Sequence, residues 1–317
     1  MLAVVFRDGA VAVVDRPDPV PEGQELLVRM AAAGLNGADS LQRQGRYPPP
    51  PGADPDVPGL EIAGTVAAVG PGVTRFGPGA RVMGLLAAGG QAELALLHER
   101  VAMPIPDPVG WAAAGGFPET FTTAHDALVT QARLRPGERL LVHGAAGGVG
   151  TAAVQIAGLV GARVTATVRR EASRPAVAGL GAAVLAPDDD WAAAGPFDVV
   201  LELVGGPNLE GDLRALAGGG RIVVIGIGAG ASATVNLGQL MSRRAVLRGS
   251  TLRARALEEK ALAARRVEVE LLPALAGGRL RVPVEEEVPL AEAARAYRRF
   301  EAGGKVGKLV LRSGRGG

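Results

Sequence analysis

The chain has 317 residues, no cysteine, three histidines, and 34 basic against 32 acidic side chains. That length suggests two domains or one with an insertion, while zero cysteine excludes disulfides and thiolate zinc sites. An apolar fraction of 48% excludes disorder, and no basic block marks a nucleic-acid partner.

Residues 1 to about 110 read as short strands between Pro/Gly turns: LAVVF, VAVVD, LLVRMAAAGL, EIAGTVAAVG, ARVMGLL and QAELALL. A helix is predicted over 38–44, ahead of the proline-interrupted loop GRYPPPPGADPDVPG. From about residue 118 the rhythm becomes strand, helix, strand. RLLVHG, ARVTATV, AAVLA, FDVVLELV and RIVVIGIG are strands, with helices over 149–160, up to 180 and near 209–217. Apolar strands without alternation, spaced by helices, indicate a parallel sheet covered on both faces. A helix over 254–276 has the charge pattern of a surface helix. VEEEV, a helix over 290–302 and KVGKLVLR then return to the mixed texture, so the tail is expected to pack on the first domain. The terminal SGRGG is expected to fray. The opening MLAVVFRDG has no charged n-region before a long apolar stretch. No apolar run reaches the ~20 residues that span a bilayer. The expectation is a soluble, cytoplasmic protein without a membrane partner.

The most specific feature is His143–Gly150, HGAAGGVG, between an apolar strand and a helix. Gly144, Gly147 and Gly150 allow a tight turn, close approach of backbone N–H groups to a pyrophosphate, and close packing of the helix. Ala146, Gly148 and Val149 complete the loop. An acid about 20 residues on would hydrogen-bond the ribose of NAD. This chain instead has Arg169 and Arg170, with Ser173 a turn later. Two guanidiniums suit a 2′-phosphate, so NADPH is the cofactor expected. Gly226 and Ile227 end the strand RIVVIG, where open α/β sheets hold ligands; backbone groups there suit a carboxamide.

These motifs, with GLNGADSLQRQGRYPPP (34–50), VPGLEIAGTVAAVG (57–70), FPETFTTAHDAL (117–128), RGSTLRAR (248–255) and GGKVGKLVL (303–311), resemble the zinc-free quinone oxidoreductases of the medium-chain dehydrogenase/reductase superfamily. RGSTLRAR is most similar to the branch of the p53-inducible quinone oxidoreductase. The resemblance implies an α/β protein: a GroES-like β-rich domain (1–115 and 278–317) plus an inserted Rossmann doubly wound parallel sheet domain (116–277). It implies hydride transfer from NADPH to a quinone or α,β-unsaturated carbonyl, with enoyl-thioester reduction or non-catalytic NADPH binding as alternatives, and a homodimer. Asn36, Tyr47 and Thr123 match positions lining the nicotinamide and substrate; Tyr47 as a plain loop tyrosine and Thr123 as a packed helix residue are the rival accounts. Thr251, Leu252, Arg253 and Lys308 match cofactor contacts. Asp39 is read as a helix cap and Tyr297 as lying on an outward-facing helix. His125 and His143 are read as packed, and His98 as a loop residue. Where zinc-dependent relatives carry a Cys ligand and a His before Glu, this chain has Asn36 and Leu60. No bound metal is expected.

Overall fold

A computed structural model describes residues 1–314. Arg315–Gly317, and with them most of the segment expected to fray, lie outside the described residues. The chain divides into two compact units. The first comprises Met1–Thr122, Leu252–Gly303 and the segment from Lys308 on; the second comprises Thr123–Thr251 and Gly304–Gly307.

In the first unit, Leu2–Arg7 and Ala10–Asp15 form an antiparallel pair. The main sheet has seven strands, in the order Val284–Pro289, Lys308–Arg312, Glu25–Gly34, Glu61–Val69, Arg81–Leu85 and Ala102–Pro104, with Leu94–His98 also on Glu25–Gly34. Glu25–Gly34 is central because its side chains alternate in burial, then become wholly buried over Ala32–Gly34. Its register with the tail, Val310 opposite Gly34, joins the two ends of the chain in one sheet. The core is aliphatic: Leu26, Val28, Met30, Ile62, Val82, Leu97 and Leu311 are at its centre.

Three expectations change here. The helix over 254–276 is two helices, Leu257–Glu270 and Leu272–Ala276, the second with Pro273 in its first turn. Both belong to the first unit. Ala261, Ala264 and Val267 are buried, while Glu258 pairs with Arg100 and Glu268 with Arg75. The charges visible in sequence are the rim of a packed helix. Tyr297 is not outward-facing: it is 1% exposed, meets Phe6 edge-on, and donates to Gln91 Oε1 at 2.8 Å. The arginines around it, Arg295, Arg298 and Arg299, disguise the buried stripe. His98 ends a strand, and its Nδ1 accepts from Arg100 N at 3.2 Å.

The second unit is a six-stranded sheet in the order Ala182–Leu185, Arg163–Thr167, Arg139–Val142, Phe197–Glu202, Leu216–Val224 and Val246–Gly249. Every pairing is parallel. The order is that of a doubly wound dinucleotide sheet, whose switch point lies between Arg139–Val142 and Phe197–Glu202. Leu140, Leu141, Val142, Val199, Val200 and Leu201 are fully buried, as strands covered on both faces must be. No helix among the described residues is long and apolar enough to cross a membrane.

Candidate functional site

The glycine loop lies at the switch point of the second unit. Gly147 caps the helix Gly148–Val160, and Gly307 N donates to Ala146 O at 2.8 Å. Gly150 is required by contact: an added Cβ would stand 2.5 Å from Ala145 Cα. The helix therefore starts close against the turn, with its first N–H groups free for an anion. These residues fit the pyrophosphate of a dinucleotide.

Arg169 and Arg170 are exposed just after Arg163–Thr167, with the Arg170 guanidinium against Gly304. Arg174 is committed to Val168 O through Nε at 3.2 Å. Ser173 is buried at the N-cap of the short helix Arg174–Ala178. Gly226 N donates to Glu202 O at 3.1 Å, Ile227 is 43% exposed, and Thr251 is exposed. Thr123 and His125 are buried in the helix Pro118–His125. The exposed loop Asp188–Asp190 follows Pro187, with Asp189 Oδ2 accepting from Ala186 N at 2.7 Å.

In the first unit, a buried polar cluster replaces several expected ligand contacts. Lys308 Nζ donates to Glu61 Oε1 at 2.6 Å, Asn36 Oδ1 at 2.7 Å and Leu35 O at 2.7 Å. All three ammonium protons are thereby used, and Lys308 is 2% exposed. In this structure it is the internal counter-ion of Glu61. Asn36 belongs to the same cluster. Its Nδ2 donates to Glu61 Oε1 at 3.0 Å and Gly34 O at 3.3 Å, so no N–H remains for an acceptor carbonyl. Gly34 admits this arrangement because a Cβ there would stand 2.3 Å from Glu61 Oε1.

Asp39 caps its helix as expected, Oδ2 accepting from Asn36 N at 2.8 Å, and also from Gln91 Nε2 at 3.2 Å. Burial pushes its carboxyl up to about 6, against the lowering effects of the Asn36 N–H and the Lys308 ammonium. Between about pH 4 and 6 the folded state holds a proton that the unfolded state releases, so this group lowers stability as pH rises. Asp39→Asn removes that titration. The wild type is expected to lose up to about 3 kcal/mol relative to the variant across this range. Urea unfolding from pH 4 to 7 checks it; identical slopes would exclude the effect.

Arg253 and Leu252 also make contacts within the first unit. Leu252 packs in the first unit's core. Arg253 donates from Nε to Ala87 O at 2.7 Å, from Nη1 to Tyr47 O at 3.0 Å, and from Nη2 to Gln42 Oε1 at 2.6 Å. Its guanidinium also lies 5.3 Å from the Tyr47 ring centroid. Arg253 thus holds the loop that presents Tyr47, which is half-buried.

Beneath the glycine loop, His143 Nε2 lies 2.9 Å from Asp212 Oδ1 and Nδ1 lies 2.9 Å from Thr167 Oγ1. Glu202 is beside them. Sequence reading missed Glu61, Gln91, Glu202 and Asp212. For three of them a signal exists: a polar residue inside an apolar strand run, as in GLEIAG, GGQAEL and VVLELV.

A parallel sheet with a glycine loop at its switch point and a β-rich unit closed by the chain's tail together define an α/β oxidoreductase. Residues 22–133 match the alcohol dehydrogenase GroES-like domain and residues 180–311 the zinc-binding dehydrogenase domain. Rat quinone oxidoreductase is 32% identical over 304 residues, covering 92% of this chain and 90% of its own. The structure of mycobacterial Rv1454c complexed with NADPH aligns at TM-score 0.87 and 30% identity, covering 98% of this chain and 100% of the other. Polyketide synthase GfsB of Streptomyces halstedii is 43% identical over 217 residues, 66% of this chain and 4% of that protein. The chain belongs to the quinone oxidoreductases of the medium-chain dehydrogenase/reductase superfamily.

Proposed function

We propose that this chain is a metal-free, NADPH-dependent reductase of quinones or α,β-unsaturated carbonyls. The observation that carries the reading is the glycine loop at the switch point, followed by exposed Arg169 and Arg170 where an acid would select NAD. Bound NADPH supplies the hydride. The helix Gly148–Val160 faces the pyrophosphate with its N-terminus. Gly144, Ala146, Gly147, Gly148, Val149 and Gly150 form the cradle, and Gly226, Ile227 and Thr251 serve the nicotinamide side. Thr123 completes that wall. The Tyr47 phenol is the proposed hydrogen-bond donor to the acceptor oxygen as its charge grows.

Catalytic zinc does not fit these residues. Where a thiolate ligand would stand is Asn36, and its Oδ1 already faces the Lys308 ammonium at 2.7 Å. A conjugated acceptor needs no Lewis acid of that strength, because its negative charge delocalises onto oxygen.

Oxidation of NADPH, followed by absorbance against naphthoquinones, 2-alkenals and enoyl thioesters, tests the reading. No acceptor-dependent oxidation would leave only a binding protein. Tyr47→Phe is expected to lower kcat about tenfold or more while leaving NADPH affinity intact; unchanged kcat removes the phenol from the chemistry. The 43% identity to a polyketide synthase favours an enoyl thioester as the conjugated acceptor, since polyketide assembly carries acyl chains as thioesters. A second copy of this chain is proposed to cover the edge strand Val246–Gly249, which is exposed throughout, with Leu237 and Met241 exposed beside it. Sedimentation as a monomer at micromolar concentration would dismiss that dimer.

A further inference from the structure

The cluster beneath the glycine loop holds two buried carboxyls, one oxygen of which has no donor. Glu202 ends its strand and is 1% exposed; Asp212, on the helix Leu209–Ala215, is fully buried. A side-chain nitrogen or oxygen from each of His143, Glu202 and Asp212 lies within 4.8 Å of the other two. Glu202 Oε1 accepts from Val204 N and from Gly205 N at 2.7 Å, and Oε2 accepts from Asn208 Nδ2 at 2.9 Å. Asp212 Oδ1 takes the His143 ring, but Asp212 Oδ2 is buried with no hydrogen-bond partner. Two adjacent ionised carboxylates in this dry setting would repel each other and leave that oxygen unsatisfied. One proton between them removes both costs. A metal ion fits less well, because three donors with no fourth fall short of a closed shell and Glu202 is already taken.

We infer that Glu202 and Asp212 share one proton, oriented by His143, and that this proton limits negative charge beneath the phosphate-binding loop. The triad is a positioning device for that loop. His143 directly precedes Gly144, and Val204, two residues after Glu202, would lie 3.2 Å from a Gly144 Cβ. Burial raises both carboxyls in the same direction. Among the described residues His143 is the other titratable group facing the pair; Thr167, Asn208 and Trp191, the last edge-on to the His143 ring at 4.8 Å, are neutral. Loss of the proton adds a charge that opposes a pyrophosphate, so dinucleotide affinity falls as pH rises. This coupling rests on the reading of the second unit as the NADPH site.

Glu202→Gln and Asp212→Asn each place an amide N–H where the proton would sit. Infrared spectra of the full chain without cofactor are expected to show a protonated-carboxyl C=O band that is lost in either variant. The NADPH dissociation constant is expected to rise roughly tenfold from pH 6 to 9 in the wild type relative to both variants. Titration of the 2′-phosphate is common to all three proteins and cancels in that comparison. Identical carboxyl bands, parallel pH profiles, or stoichiometric zinc held by the wild type and lost in Asp212→Asn would each overturn the inference. A band difference without NADPH binding in any of the three would reject the NADPH reading and the coupling with it, leaving the shared proton established.

Discussion

Lys308→Met is expected to destabilise the protein by about 3–5 kcal/mol, the usual cost of removing one partner from a buried ion pair. Glu61 would be left buried without its cation, while Leu35 O and Asn36 Oδ1 would lose their donor. Methionine retains most of the aliphatic volume, so the loss reads electrostatics and hydrogen bonding rather than a cavity. Adding Glu61→Gln should restore a substantial part of it, because the uncompensated charge is then gone. Urea unfolding of the single and double variants measures both quantities. A single variant within about 0.5 kcal/mol of wild type, the range of ordinary surface substitutions, would show that the cluster is not closed as described.

Replacing Arg169 and Arg170 together by alanine is expected to lower kcat/KM for NADPH about 100-fold and leave NADH nearly unchanged. Two charge-assisted hydrogen bonds to a 2′-phosphate, each worth roughly 1.5 kcal/mol or more, give that ratio. Both guanidiniums are exposed in the second unit, and the neighbouring Arg174 is tied through Nε to Val168 O. Arg169 and Arg170 are thus the exposed guanidiniums at the end of that strand. Steady-state rates with both nucleotides decide it. An equal fall with NADH would mean that the arginines support the loop generally and read no phosphate.

The nucleotide unit was legible because its signals are local. Periodicity marks the strands, and Gly144, Gly147 and Gly150 mark the turn that a pyrophosphate requires. The change of texture near residue 118 and its reversal in the tail likewise announced an inserted unit. What stayed hidden depends on partners far apart in sequence. Lys308 meets Glu61 across 247 positions, and Arg253 meets Gln42 across 211. A lysine near a chain end gives no sign of whether it faces a phosphate or a buried carboxylate. The helix over 254–276 carries the same ambiguity, since charge on one face does not say which unit covers the other.

Zero cysteine excludes thiolate zinc sites. The sequence by itself determined the fold class, the nucleotide loop and the absence of thiolate ligands, because each follows from residue type and short spacing. Only the tertiary structure decided which polar groups remain available for chemistry. A hydrogen-bond donor can be used once: Asn36, Arg253 and Lys308 spend theirs inside the protein, whereas Arg169 and Arg170 are exposed at the surface.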